Sequence, residues 1–167
     1  MTTDRRFSPP TERDALCGFL DGQRAALARK VTGVSDTDAR ATPTASALSL
    51  LGILKHCALW ERRWFLIIAA GEIFPGEWPL NGEQDTDLED FRVDERDTVE
   101  RWLAIYEERS AASRKAVAGM DLDAPCGWPQ AADRNLRWVL LHMIEETARH
   151  AGHADIIRET LDGSSGT

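Results

Sequence analysis

Residues 136–161, LRWVLLHMIEETARHAGHADIIRETL, contain no proline and repeat their apolar side chains every third or fourth position. That pattern commits the chain to a long amphipathic helix. Asn135 supplies a side-chain cap at its start, and Asp162-Gly163 supplies a stop. On a wheel of about 100° per residue centred on Met143, Leu136, Val139, Leu140, Thr147, Ala154, Ile157 and Leu161 fall within about 60°. Two ionisable residues share this stripe, His150 near its centre and Glu146 at its edge. His142 and His153 lie about 80–100° away.

The rest of the chain repeats the theme. Thr11 caps an acidic first turn that predicts a helix over about 11–32, stopped by Gly33. Ser46 or Ser49 caps a second helix running to about Ala70, with Gly71 as terminator. A third spans about Asp94 to Ala118. Between the second and third lie Pro75, Gly76, Pro79, Asn81 and Gly82 among acidic residues. This reads as a long crossing loop, a length that often serves function. VSDTDARATPTAS and GMDLDAPCGWPQAADRN read as further loops. Strict period-two alternation is missing, so the expected fold is all-α, a four-helix antiparallel bundle with its crossing loop between helices 2 and 3. The pairing order of the helices stays open. Residues 1–10 read as a flexible leader, 11–162 as the bundle and 163–167 as a disordered tail.

Composition narrows the function. With 167 residues, 43% hydrophobic and 29% charged, there is material for one domain and one core. A net charge of −8 opposes nucleic-acid or anionic-membrane partners. The longest apolar run near the middle, WFLIIAAG, is too short to span a bilayer, and the first residues lack the apolar core of a signal peptide. Three widely spaced cysteines, Cys17, Cys57 and Cys126, suit reduced thiols in the cytoplasm.

The chemistry sits on helix four. Glu146 and His150 are four apart, so their side chains rise from one face at about 5–6 Å. A carboxylate in an apolar stripe is costly without a compensating charge, and a divalent cation would supply one. The bland alternative is an ordinary surface ion pair. A third donor has to come from elsewhere, and His56, in LGILKHCALWERRWF, is the one histidine outside helix four. Taken alone, His56 reads more readily as a hydrogen-bonded core residue. As a ligand it would complete a three-residue site with open positions, the pattern of catalytic zinc. Trp60, one turn on, could wall a pocket, whereas Cys57 reads as core filler. Cys126 is a loop thiol with nothing visible to lower its pKa. Asp155 and Glu145 point to solvent. Phe74 and Trp78 in the long loop could pair two copies as a homodimer or cover the site.

Together, SLLGILKHCALWERRWF and LRWVLLHMIEETARHAGHADIIRE resemble the DinB/YfiT-like superfamily of metal-dependent enzymes, over nearly the whole chain. The resemblance implies a four-helix bundle with a long crossing connection. It makes His56, Glu146 and His150 the metal ligands, with Glu at the first position of the last-helix pair where many members carry His. His153 falls where many members carry Gln or Asn, so it comes in only as a candidate catalytic proton shuttle. The relatives imply a mycothiol-like thiol as co-substrate, activated at the metal for transfer to a small electrophile. Zinc suits the donor set best, with nickel, cobalt or iron as alternatives. Two other readings compete: a metal-dependent hydrolase and a non-catalytic stress- or ligand-sensing helical module.

Overall fold

Each long helix begins where a side chain caps it. In the computed structural model, which describes residues 11–75 and 87–164, helix α1 is Glu12–Val31, with Thr11 accepting from the Asp14 N–H. A short α2 follows at Asp36–Arg40. Helix α3, Leu50–Glu61, starts at Ser49, whose Oγ accepts from Gly52. It runs straight into a π-helical segment, Arg62–Ala69. A single turn, α4, is Asp87–Asp90. Helix α5 is Val99–Val117, capped by Thr98, and α6 is Leu136–Asp162, capped by Asn135 through Trp138 N–H at 3.0 Å. The expected all-α bundle is there. The caps at Thr11 and Asn135 fall where the sequence puts them, and Ser49 rather than Ser46 opens the second long helix. Two short helices, α2 and α4, interrupt segments expected to be loops. The crossing loop's residues 76–86, with Trp78, the 1–10 leader and residues 165–167 lie outside the described residues.

Long-range contacts fix the pairing order that the sequence leaves open. Helix α1 packs along α6, and α3 along α5. Glu12 at the start of α1 pairs with Arg137 at the start of α6, at 2.8 Å. At the other ends Lys30 pairs with Asp155 and its carbonyl accepts from Arg158. These two helices therefore run parallel. So do α3 and α5, because Lys55 reaches Asp97 while the Glu61 carbonyl accepts from Ser113. Leu27 of α1 and Ile157 of α6, late in their helices, cluster with Leu50, Ile53 and Leu54 at the start of α3, and the earlier Leu20 and Leu140 cluster with Phe65 beyond its end, so the two parallel pairs run against each other. The long connection between the second and third long helices is what this order requires.

The switch from α to π winding after Glu61 coincides with polar support from the neighbouring helix. Arg109 donates to the Ala58 carbonyl at 3.1 Å and Ser113 to the Glu61 carbonyl at 3.2 Å. Farther on, the Ala70 N–H reaches five residues back to Phe65, and Glu72 reaches Leu66. The carbonyls of Ile68 and Ala69 are then taken by the N–H groups of Trp128 and Gly127, at 3.0 and 2.9 Å. This docking needs two glycines. Gly71 sits at φ +75°, and a Cβ on Gly127 would stand 2.8 Å from the Gly71 nitrogen.

Two apolar clusters fill the bundle, one around Leu27, Leu50, Ile53, Leu54 and Ile157, the other around Leu20, Phe65, Leu136, Leu140 and Met143. The stripe read on helix four is their shared wall. Leu136, Val139, Leu140, Met143, Thr147, Ala154 and Ile157 are all buried, and Leu161 is half-buried. Among the described residues no helix is long and apolar enough to cross a membrane.

Candidate metal centre

The antiparallel meeting of α3 and α6 brings the sequence-singled residues together. One ligand atom from each of His56, Glu146 and His150 lies within 4.8 Å of the other two. The His150 Nε2 is 3.6 Å from the Glu146 Oε2, and the two imidazole centroids are 4.8 Å apart. His56 is 2% exposed and His150 7%. The Glu146 side chain is 13% exposed.

Electrostatics prepare the two imidazoles as neutral donors. Burial pushes His56 down to about 3, helped by His150 and Arg63. Burial likewise lowers His150 to about 4, helped by His153 and Arg149. Both rings are uncharged at neutral pH, the form that can share a lone pair with a cation. The Nδ1 atoms of both are buried with no hydrogen-bond partner among the described residues. Two neutral imidazoles and one carboxylate, converging from facing helices, fit a divalent ion.

The ring of His56 is clamped. Phe91 stacks on it at 4.1 Å and 14°, and Trp60 tilts against it at 4.6 Å, so Trp60 does wall the site. Arg149, one turn after Glu145 and Glu146, donates to both carboxylates and takes Glu146 by Oε1, leaving Oε2 toward His150. His153 is half-buried on the next turn, 5.7 Å from His150 ring to ring, with its Nδ1 buried and unpartnered among the described residues.

His142, off the centre of the stripe, is half-buried in an aromatic box. It stacks on Trp138 at 4.9 Å and lies 4.3 Å from Trp64 and 5.6 Å from Trp60, and burial lowers its pKa. With Glu145 and Glu146 it forms a second group whose ligand atoms lie within 4.8 Å. That group shares Glu146 with the first, and Glu145 is largely exposed and engaged by Arg149, so it is the weaker cation site. Cys57 and Cys126 are buried, and burial raises both thiols, which makes them poor nucleophiles. Phe74 lies under the Arg62 guanidinium at 3.9 Å.

Phe91, Arg149 and Asp90, whose Oδ2 lies 3.9 Å from the His56 Nδ1, are the site residues that sequence reasoning missed. Arg149 was detectable in principle, since a cation three residues after a carboxylate on a helix face meets it. Asp90 and Phe91 carry no such signal, because they arrive through tertiary packing from a different part of the chain.

Comparison with known proteins agrees with the sequence resemblance. Among solved structures, a conserved protein of a locus from Enterococcus faecalis is similar, with 13% identity and a TM-score of 0.64, covering 92% of this chain and 99% of that one. At that identity the likeness is one of fold. No curated protein matches the sequence. The profile of the mycothiol-S-transferase family matches residues 15–163, a span that takes in every long helix except the first turn of α1 together with all three converging residues, and the chain belongs to that family.

Proposed function

We propose that the protein is a metal-dependent mycothiol S-transferase, with His56, Glu146 and His150 as the ligands of one divalent ion. The observation that carries this reading is the convergence of two buried, neutral imidazoles and one carboxylate within 4.8 Å, in a chain of the mycothiol-S-transferase family. Zinc suits the donors best, and nickel, cobalt or iron would be held by the same three residues. When bound, the ion supplies a Lewis acid that lowers the pKa of a small thiol.

The chain's own residues do the rest. Arg149 fixes the Glu146 carboxylate, and Phe91 and Trp60 hold the His56 ring and keep water from it. His153, half-buried one helical turn from His150, takes the thiol proton on its imidazole. The sulfur lone pair then forms the S–C bond to the electrophilic carbon, and the displaced pair leaves with the leaving group or is protonated on the product. The electrophile is a small molecule. Three unpaired cysteines suit a reducing, cytoplasmic setting for such chemistry.

Zinc-loaded protein, mycothiol and a chromogenic electrophile test the reading. Turnover is expected only with thiol present, and His153→Ala is expected to lower kcat by roughly 10²-fold. Equal turnover of ester substrates without thiol would replace this reading with a hydrolase. Absence of turnover with any small thiol would leave a non-catalytic module.

A further inference from the structure

The turn that follows the crossing connection is docked with more care than a loop needs. A Cβ on Gly52 would stand 2.5 Å from the Phe91 carbonyl oxygen, so only glycine lets this turn sit against α3 one helical turn before His56. Lys55 donates to the Arg92 carbonyl at 2.6 Å, and Arg63 pairs with Asp90 at 3.4 Å. Three neighbours of His56 along its own helical run thus hold residues 90–92 in place. The docked turn presents two side chains to His56. Phe91 covers the ring face, and the Asp90 Oδ2 stands 3.9 Å from Nδ1, the buried nitrogen that lacks a hydrogen-bond partner.

We propose that Asp90 is the positioning residue of the metal centre: its carboxylate accepts the Nδ1–H of His56, fixes that tautomer and directs Nε2 to the ion. This inference rests on the metal reading given above. The separation is about 1 Å longer than a hydrogen bond, and Arg63 holds the carboxylate on that side of the ring. A metal-bound histidine commonly donates its second nitrogen to a carboxylate, which sets ring orientation and raises ligand basicity. Glu146 is oriented by Arg149 and His56 by Asp90, so two of the three proposed ligands have charged partners of their own.

The test is zinc affinity of the full chain, measured by competition with a chromophoric chelator, for wild type, Asp90→Asn and Glu89→Gln. Glu89 is an exposed neighbour and removes the same formal charge. Asp90→Asn is expected to weaken zinc binding about 10- to 100-fold, with Glu89→Gln within about twofold of wild type. The ¹⁵N shifts of His56 in the zinc-loaded protein are expected to show the Nδ1–H form in wild type and a changed Nδ1 resonance in Asp90→Asn. A purely structural role would not move that signature. Wild-type affinity in Asp90→Asn, or equal weakening in Glu89→Gln, overturns the inference. Failure of the wild type to bind zinc overturns the metal reading itself, and with it the role of Asp90.

Discussion

Glu61→Ala is expected to destabilise the protein by about 3–5 kcal/mol, the usual cost of leaving a buried charge without its partner. Glu61 is fully buried, at 0% exposure, and binds Arg24 through both oxygens, at 2.7 and 2.6 Å. Burial disfavours the charge on Arg24, yet the Glu61 carboxylate more than offsets this and holds its pKa above the ordinary value. Removing the carboxylate leaves the guanidinium with Asp21, a half-exposed partner one turn away at 2.8 Å. That contact is too wet to replace a buried bidentate pair. The double variant Arg24→Met/Glu61→Leu is expected to recover most of the loss, because an apolar pair of similar volume avoids the desolvation cost. Urea denaturation of the two single variants and the double variant, as a thermodynamic cycle, checks this. Glu61 also ends the α-helical part of the strand of chain that carries His56, so the pair anchors the segment that delivers one side of the metal centre.

The second large effect concerns the centre directly. His150→Ala is expected to weaken metal binding by more than the roughly 10–100-fold that loss of an outer partner costs, because it removes a donor outright. Elemental analysis of untagged, dialysed protein is expected to give stoichiometric metal for wild type and little for the variant. The apo fold should persist, since the ring that is lost is neutral at pH 7 and its Nδ1 makes no hydrogen bond among the described residues. Unchanged metal content in His150→Ala would remove this residue from the ligand set.

Local pattern made helix α6 and its polar pair legible. Asn135, the 3.6-residue stripe and the intrusion of Glu146 and His150 are all written within one contiguous segment, and periodicity reads such segments well. His56 was half-legible. Its residue type and apolar setting fit both a core histidine and a ligand, and only the resemblance to other chains separated them. The parallel pairing of α1 with α6 and of α3 with α5 was hidden, because it is decided by contacts such as Glu12 with Arg137 and Lys55 with Asp97, distant in sequence. The π winding after Glu61 was hidden for a related reason, since its freed carbonyls are satisfied by Arg109, Ser113, Gly127 and Trp128 from other elements. Asp90 and Phe91 are the clearest case. An acidic residue and an aromatic at the end of a long loop look unremarkable until Gly52, Lys55 and Arg63 dock them onto His56.

The most direct test of the account is anomalous scattering from crystals of the zinc-loaded protein. The account predicts one peak among His56, Glu146 and His150, at about 2.0–2.2 Å from two imidazole nitrogens and a carboxylate oxygen. A peak among His142, Glu145 and Glu146 instead, or no peak in protein that holds zinc in solution, would contradict it.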